Sequence, residues 1–494
     1  MSAPDHGLRD GLPVRDLGVE PYAYSYDASH TLAEALAAGD EEQEPARVRV
    51  AGRMLSLRDL GKSAFAHLGD HSGRLQIYCK RDQMEELEGQ VLDLLDLGDW
   101  VGVEGPLFRT RTGEVTVQVE TLTLLSKTLR PLPLGKTEVL EDGSEVVHSG
   151  FADVEMRYRQ RYADLAVNAG VRDVFAARTR IIRALRRVLD DDGYLEVETP
   201  ILQPMYGGAF ARPFTTHHNT LDRTMYLRIA DELYLKRLIV GGLDRVYEIG
   251  KVFRNEGLDR THNPEFSMLE LYRAHADYED MMATAEQLVS AAAATIQDGP
   301  VVEWNGQPID LSTPWKRITF HEAIREFAEV DAASASSQEL RAALPDDLDG
   351  ADAMDRSELL DALFSGRVEP NLVNPTIVFD YPLEMSPLAK PKRGDPDLAE
   401  RFEVIVGGTE LVNAFSELND PIDQWDRFDA QERTRQAGTG EAQGVDVDYV
   451  RALEYGLPPT GGLGLGIDRL VMLLTGQPAI RDVLLYPVLR DVDG

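Results

Sequence analysis

The chain has 494 residues, 43% of them hydrophobic, and its 51 basic and 85 acidic residues give a formal net charge of −34. This length predicts two or three domains, the apolar share excludes a disordered acidic chain, and the single cysteine, Cys79, excludes internal disulfides and cysteine-based metal sites. No run approaches the roughly 18 apolar residues of a membrane helix, and the first residues lack the layout of a signal peptide, so we expect no membrane association and a cytoplasmic protein.

The amino-terminal third predicts a small barrel between two less regular segments. Residues 1–45 are polar and acidic with a helix-like end, TLAEALAAGDEE, and are predicted to be an appendage. In residues 46–128, five short alternating runs and one helical stretch predict a five-stranded β-barrel of the oligonucleotide-binding (OB) type. Residues 129–157 contain RPLPLGK, which breaks regular structure, and are predicted to be a linker.

Residues 158–494 are predicted to form one larger domain. A long helix is expected at 171–193, ended by Gly193, and β-rich runs follow it, among them EFSMLELYRA and RFEVIVGGTELVNAFSE. Because these runs are not regularly separated by crossover helices, they predict an α+β fold, a mostly antiparallel sheet flanked by helices. Residues 277–373 are predicted to be a helical, acidic insertion.

The charge distribution carries two further expectations. Only nine of the 51 basic residues are lysine, and acidic residues crowd runs such as PDDLDGADAMD, a pattern typical of proteins that stay solvated in concentrated salt. Halophilic origin is therefore a hypothesis. The segment from Met156 to Arg187 contains nine arginines and two acidic residues, Asp164 and Asp173. Because positive charge is concentrated there, the negative net charge does not exclude a polyanionic partner.

Three ordered segments carry the chemistry: GYLEVETP (193–200), FRNEG (253–257) followed by THNPEF, and GLGLGIDR (462–469). The last is not a dinucleotide fingerprint, because Ile467 stands where the third glycine is required. Together they resemble motifs 1, 2 and 3 of the class II aminoacyl-tRNA synthetases. Longer runs, including GGAFARPFTTHHNTLDRTMYLRIADELYLKRL and FSELND, are similar to lysyl-tRNA synthetases over roughly residues 15–490.

This resemblance implies a function and its partners. The family activates L-lysine with ATP and Mg²⁺ to lysyl-adenylate, transfers lysine to tRNA(Lys), works as a homodimer and binds the anticodon with its barrel. A lysine-transferring paralog that modifies a protein would lack the barrel. A non-catalytic tRNA-binding relative would have lost Arg254, Arg469 or the acid pair Glu403 and Glu410, and an aspartate or asparagine enzyme would lack Glu232 and Glu417.

Alternation along the run EFSMLELYRA points to a functional face. In an antiparallel strand, Phe266, Met268, Glu270 and Tyr272 share one side, which is an unusual set for a purely structural surface. The alternative is that Phe266 and Met268 are core residues and that Glu270 is solvated at an edge. The resemblance favours the functional alternative and implies that Phe266 stacks on adenine.

A hairpin signal, Gly407-Gly408, predicts that Val406 pairs with Thr409, so that Ile405 faces Glu410 and Glu403 faces Val412. Glu403 and Glu410 then lie diagonally on one face, within reach of a shared hard cation, although two solvated edge acids would look the same. The resemblance implies that they bind magnesium. If Asn413, Phe415 and Glu417 line the same pocket, a bulge must lie between Glu410 and Asn413.

The resemblance assigns the remaining site residues. Glu417 and Tyr272 are expected to bind the ε-ammonium of lysine, beside Phe415; Glu232 and Glu270 the α-ammonium, with room left by Gly207 or Gly208; and Arg254 and Asn413 the α-carboxylate. On the ATP side, Arg254 and Arg469 are expected to be the catalytic residues that neutralise the phosphates. The other expected ATP contacts are Glu256, His262, Asn263 and Phe266.

The barrel carries a second set of implied contacts. Arg58, Phe65, Gln76 and Glu120 match positions that in the family stack on and hydrogen-bond uracil-rich anticodon bases. Stacking on an aromatic ring tolerates any base, and the polar groups add selectivity. Without the resemblance, Phe65 is more simply interpreted as barrel core.

Overall fold

The computed structural model describes residues 12–39, 46–139, 145–148, 150–209, 211–345, 348, 350–436 and 446–491, and it divides into two compact units, Met1–Asn168 and Ala169–Gly494. The helices of the first unit are α1 (Pro13–Asp16), α2 (Leu32–Ala38), α3 (Glu86–Asp93), α4 (Val154–Arg159) and α5 (Arg161–Val167). Its strands are β1 (Arg47–Asp59), β2 (Ser63–Gly69), β3 (Arg74–Lys80), β4 (Trp100–Arg109), β5 (Val115–Val119), β6 (Thr121–Ser126), β7 (Lys136–Val139) and β8 (Glu145–His148).

The first unit is built on the predicted closed barrel. Its strands pair in the order β1-β2-β3-β5-β4-β6, and β1 also pairs with β4, which closes the sheet. Buried and exposed residues alternate along β1, with Val48 and Val50 inside, as expected for a strand with one face in a core. The last of the five predicted runs is divided at Glu120 into β5 and β6.

The segments around the barrel differ from expectation. Helix α2 begins at a capping box between Thr31 and Glu34, and Val14, Leu32 and Ala35 are part of the barrel core, so residues 12–39 cover the barrel and are not a separate appendage. The predicted linker contains the β7–β8 hairpin, where the structure describes the backbone alone.

The second unit holds a nine-stranded sheet. Its helices are α6 (Ala169–Asp191), α7 (Glu232–Val240), α8 (Tyr278–Ala293), α9 (Phe320–Ala328), α10 (Ser337–Ala343), α11 (Arg356–Leu363), α12 (Pro421–Gln436), α13 (Val447–Glu454) and α14 (Ile467–Thr475). Its strands are β9 (Leu195–Glu196), β10 (Leu202–Gln203), β11 (Thr215–His218), β12 (Arg223–Leu227), β13 (Arg245–Phe253), β14 (Glu265–Ala274), β15 (Val301–Trp304), β16 (Gln307–Asp310), β17 (Lys316–Thr319), β18 (Thr376–Pro382), β19 (Pro391–Lys392), β20 (Asp395–Val406), β21 (Thr409–Ser416) and β22 (Thr460–Gly466).

The sheet confirms the predicted architecture. The strand order is β17-β18-β20-β21-β22-β14-β13-β9, with β19 beside β20, and only the outer pairs β17–β18 and β13–β9 are parallel. Helices α6, α8 and α14 contribute buried apolar side chains to the same core as the central strands. Strand β22, the glycine-rich run, lies at the centre, between β21 and β14.

The predicted insertion at 277–373 is only partly separate from this core. Helix α8 buries Met281, Ala285, Leu288 and Ala292 in the main core, because apolar residues three and four positions apart form one face of the helix. Strand β17 extends the main sheet. Helices α9, α10 and α11 pack around a second, smaller core.

Within the described ranges, no helix is long and apolar enough to cross a bilayer.

Candidate active site

A cavity of about 870 Å³ opens over the central strands of the second unit. It brings together nearly all residues predicted for the amino-acid and nucleotide sites, although they come from segments up to 261 positions apart. Those that line it are Gly208, Glu232, Arg254, Glu256, His262, Asn263, Phe266, Glu270, Tyr272, Glu403, Glu410, Asn413, Phe415, Glu417 and Arg469. Gly207 does not line the cavity, and Phe210, which follows Ala209 in the same run, lies outside the described residues.

Strand β14 supplies one wall of the cavity through the predicted alternation. Phe266, Met268, Glu270 and Tyr272 all line it, whereas Leu269 and Leu271 point into the apolar core behind the sheet. The guanidinium carbon of Arg254 lies 5.1 Å from the centroid of the Phe266 ring, within the range of a cation–π contact. A charged group and an aromatic face therefore lie together on this wall of the cavity.

The glycines of β22 make room for acidic side chains. A Cβ atom at Gly462 would lie 2.0 Å from Oε1 of Glu417 and 2.5 Å from the Tyr272 ring, and one at Gly464 would lie 2.7 Å from Oε1 of Glu270. Both distances to the carboxylates are far below van der Waals contact. The glycine run of β22 therefore has a role other than dinucleotide binding. Its lack of side chains leaves space in the cavity for the carboxylates of Glu417 and Glu270.

One end of the cavity is a buried acidic pocket. Glu417, Glu232 and Glu270 are only 1%, 5% and 8% exposed, and Tyr272 donates a hydrogen bond to Glu270 over 3.2 Å. Burial raises the pKa of Glu417 to about 8, although the charge of Lys236 lowers it. Burial, together with the charges of Asp231 and Glu232, also raises the pKa of Glu270 well above its usual range. Such a pocket favours a cationic ligand.

The opposite side of the cavity depends on a bulge in the β20–β21 hairpin. As predicted, Val406 pairs with Thr409 and Ile405 with Glu410. The predicted pairing of Glu403 with Val412 is wrong: Glu403 pairs with Asn413, because the register shifts by one residue between the Ile405 and Val404 pairs. The required bulge thus lies between Glu410 and Asn413, and it turns both onto the cavity.

Glu403 is the most enclosed acid on this side, at 7% exposure. It accepts a hydrogen bond from Tyr381 over 2.9 Å and pairs with Arg401 at 2.5 Å. Burial raises the pKa of Glu403 to about 7. The charge of Arg401 lowers this pKa, whereas the charge of Glu410 raises it. Two carboxylates that disfavour each other's charge suit a hard divalent cation, and Mg²⁺ commonly takes one or two protein carboxylates plus phosphate oxygens. No cluster of three or more possible protein ligands occurs among the described residues.

A cationic and polar rim borders the two carboxylates. Arg469 donates to the backbone oxygen of Glu410 over 2.7 Å, and its Nη2 lies 3.4 Å from Nε2 of His262. Asn263 donates to the Glu265 carbonyl over 2.6 Å and accepts from the Val488 amide, so its amide group is held by backbone on both sides. This rim can neutralise phosphate charge.

Two basic residues of this site were missed by sequence reasoning. Lys236 is fully buried and pairs with both Glu232 and Glu417, and Arg401 lines the cavity with its guanidinium 4.6 Å from the Tyr381 ring. Lys236 lies four residues after Glu232 on α7, a spacing that could have signalled the first pair. Its second partner is distant in sequence and carries no such signal.

The barrel gathers only part of its predicted set. Arg58 on β1 pairs in register with Phe65 on β2, and Phe65 pairs with Tyr78 on β3. The ring centroids of Phe65 and Tyr78 lie 4.7 Å apart. The Gln76 amide donates to Glu114 over 2.7 Å. Glu120 does not join this group; its carboxylate pairs at 2.5 Å with Arg47, which lies at the opposite end of β1 from Arg58. The carboxylate beside Gln76 is therefore Glu114, which sequence reasoning missed.

Two family models match the chain. Residues 153–490 match the model described as tRNA synthetases class II (D, K and N), and residues 48–125 match the model described as OB-fold nucleic acid binding domain. The first match covers most of the second unit and the second covers the barrel.

Curated relatives match over almost the full length. The lysine–tRNA ligase of Moorella thermoacetica is 50% identical over 479 residues, which cover 97% of this chain and 95% of the relative. That of Carboxydothermus hydrogenoformans is 48% identical over 482 residues, 97% of this chain and 96% of the relative. That of Staphylococcus epidermidis is 46% identical over 485 residues, 96% of each chain.

Proposed function

Because this chain belongs to the class II tRNA synthetases of the D, K and N group, and its relatives are lysine–tRNA ligases, we propose that it is an enzyme that activates L-lysine with ATP and transfers it to tRNA(Lys). The observation that carries the choice of lysine is the carboxylate of Glu417. It is 1% exposed, lines the cavity and has no hydrogen-bond donor for its Oε1 within the described residues. A buried carboxylate in this state is stabilised by an ammonium group.

The proposal places lysine in the cavity in one orientation. Glu417 receives the ε-ammonium, with the Phe415 ring along the aliphatic stem. Glu232 and Glu270 receive the α-ammonium, and Gly208, whose φ of +89° excludes most side chains, leaves space beside Glu232. Arg254 and Asn413 bind the α-carboxylate. Aspartate and asparagine are disfavoured because their side chains would bring a negative or neutral group to a pocket of three acids.

The activation step needs no protein nucleophile. The lysine carboxylate oxygen forms a bond to the α-phosphorus of ATP, and the bond between that phosphorus and the β-phosphate oxygen breaks, releasing pyrophosphate. Arg254 neutralises charge on the α-phosphate and Arg469 on the leaving phosphates, while Phe266 stacks on the adenine. Positioning and charge neutralisation account for the rate enhancement.

We assign Mg²⁺ to Glu403 and Glu410. Both line the cavity, and their hard oxygen atoms and mutual repulsion fit a divalent cation. The ion supplies charge neutralisation of the ATP phosphates when it is bound. Within the chain, Arg401 and Tyr381 hold Glu403 in place by hydrogen bonds to its two carboxylate oxygens.

Transfer to tRNA requires recognition of the nucleic acid by the barrel. The group of Arg58, Phe65, Gln76 and Glu114 joins an aromatic face to hydrogen-bonding groups, the combination that reads unstacked bases in single-stranded RNA. The presence of the barrel disfavours a paralog that modifies proteins. Residues 129–157 remain a proposed connection between barrel and catalytic domain, which we place at 158–494.

A homodimer in the cytoplasm completes the proposal. Segment 195–205 of the second unit exposes large apolar side chains that a partner subunit would cover, with exposures of 39–51%: Leu195, Ile201, Leu202 and Met205. Sedimentation at twice the chain mass is expected. A monomer at working salt would contradict the dimer.

The test of the whole proposal is aminoacylation. Purified protein is incubated with ATP, Mg²⁺, labelled lysine and tRNA(Lys), and acid-stable attachment of label to tRNA is measured. We expect charging that depends on ATP and is lost when EDTA removes the metal. Labelled aspartate or asparagine on tRNA, with no lysine attached, would overturn the proposal.

A further inference from the structure

A buried lysine of the protein lies behind the acidic pocket. The ammonium of Lys236 is 2.5 Å from Oε1 of Glu232 and also contacts Oε2 of Glu417, and its side chain is fully buried. Lys236 does not itself line the cavity, whereas both glutamates do. It therefore contacts the two carboxylates from the protein side and leaves other carboxylate oxygens available to a ligand.

One nitrogen in contact with two carboxylates fixes their separation. Because neither contact is longer than a hydrogen bond, the two oxygens cannot be more than about 6 Å apart. The Lys236 ammonium also lies 5.8 Å from the centroid of the Tyr272 ring, so it is bordered by three side chains of the pocket. The charges of Glu232 and Glu417 outweigh burial and keep the pKa of Lys236 well above its usual range.

Lys236 also balances the charge of the loaded pocket. Glu232, Glu270 and Glu417 carry three negative charges when ionised, and Arg254 is the one arginine that the proposal assigns to the amino acid, because Arg401 pairs with Glu403 and Arg469 is assigned to the phosphates. L-lysine brings a net charge of plus one. With Lys236 the loaded pocket is neutral, and without it one buried negative charge is left uncompensated, which is costly.

On the basis of the proposed function, we infer that Lys236 is a positioning and specificity residue: it holds Glu232 and Glu417 at a fixed separation, so that the pocket measures the distance between the two ammonium groups of its substrate. Ornithine has the same charges as lysine but is one methylene shorter. A pocket with fixed carboxylates discriminates against it, and one with mobile carboxylates accepts it more readily. One methylene is worth about 10- to 200-fold in a shaped pocket.

The experiment is ATP–pyrophosphate exchange with lysine and with ornithine, on wild-type protein and on Lys236→Met, Lys236→Arg and Lys127→Met. Lys127 is the matched control, because its ammonium also bridges two carboxylates, Asp96 and Asp99, at 2.7 and 2.8 Å, but in the barrel unit. Exchange by the wild type with lysine tests the proposed function separately from this inference.

For Lys236→Met we expect the lysine KM to rise about tenfold or more, the ATP KM to stay within about twofold, and the lysine-over-ornithine preference to fall. Lys236→Arg keeps the positive charge and is therefore expected to keep the fold. Its lysine KM should lie between those of the wild type and Lys236→Met. Its lysine-over-ornithine preference should still fall, because the guanidinium spaces the carboxylates differently. Lys127→Met should lower Tm without changing either KM. If the arginine variant keeps the wild-type preference, or if the methionine variant loses kcat equally for both substrates with an unchanged ratio, Lys236 is merely structural and the inference is wrong.

Discussion

At the residue scale, we assign most of the amino-acid specificity to the carboxylate of Glu417. Glu417→Gln keeps the shape of the side chain and removes its charge, leaving the lysine ammonium without its partner. Loss of one member of a buried charge pair costs about 2–5 kcal/mol, so we expect the lysine KM to rise at least about 30-fold with little change in the ATP KM. Steady-state pyrophosphate exchange measures both.

The control for this substitution is Glu400→Gln. Glu400 is also a buried acid of β20, paired with Arg393 and bonded by Ser416, but it does not line the cavity. The Glu400→Gln variant should be less stable than the wild type and should keep the wild-type lysine KM. Equal rises in the lysine and ATP KM values of Glu417→Gln would show that Glu417 does not contact the amino acid.

The same carboxyl predicts how lysine binding depends on pH. In the empty pocket, burial raises the pKa of Glu417 to about 8, and a bound ammonium requires the ionised form. Below pH 8, lysine binding therefore releases a proton, and the Kd should increase about tenfold per pH unit as the pH falls. Calorimetry in two buffers of different ionisation enthalpy detects the proton. An equal Kd at pH 6.5 and 8.5, with no proton released, would contradict the assignment.

Residue roles were only partly predictable from sequence. Glu417, Glu270 and Arg254 were named from the resemblance of their motifs to a known family, and all three line the cavity. Lys236 and Arg401 could not be named, because their partners are brought close by the sheet and not by the chain. Glu120 was assigned to the anticodon set from the resemblance alone, and Glu114 was missed because the residue beside Gln76 depends on the parallel pairing of β3 with β5, which local pattern does not reveal.

At the element scale, the glycines of β22 are as important as the charged residues. Gly462→Ala would place a methyl group 2.0 Å from Glu417 and 2.5 Å from Tyr272. Overpacking of this kind costs about 1–3 kcal/mol, so we expect a rise of about 5- to 150-fold in the lysine KM. Gly466→Ala on the same strand is the control, since its Cβ would lie 3.6 Å from Arg469, an ordinary contact. A Gly462→Ala enzyme with a normal lysine KM would contradict this role.

The barrel element has its own test. Phe65→Ala removes an aromatic face, and stacking of one base is worth about 1–3 kcal/mol, so the tRNA KM in aminoacylation should rise about 5- to 150-fold. Pyrophosphate exchange without tRNA should not change. Tyr24→Ala, which removes a fully exposed ring of the same unit, should affect neither reaction. A normal tRNA KM in the Phe65 variant would contradict the assignment of this ring to base stacking.

The limits of pattern reading are clearest in the β20–β21 hairpin. The Gly407-Gly408 turn correctly fixed the first two pairs, but strict alternation then placed Glu403 opposite Val412. The structure inserts one extra residue on β21, and a single inserted residue turns the following side chains to the other face. Alternation alone cannot locate such a bulge; the need to bring Glu410 and Asn413 to one pocket could.

At the scale of the whole molecule, chain length predicted two or three domains, and strand patterns predicted a barrel and a mostly antiparallel sheet. They did not predict that α8 belongs to the main core or that β17 extends the main sheet, because an acidic surrounding sequence masks a buried apolar face. The net charge of −34 is a property of the surface and leaves the fold undetermined. Halophilic adaptation remains a hypothesis.

The central claim is that one cavity selects a dicationic amino acid beside ATP. The most direct measurement is exchange of labelled pyrophosphate into ATP by the purified protein with each of the twenty amino acids, at low and high salt and without tRNA. We expect exchange with lysine alone at both salt concentrations. Exchange supported by aspartate or asparagine, and not by lysine, would contradict the account.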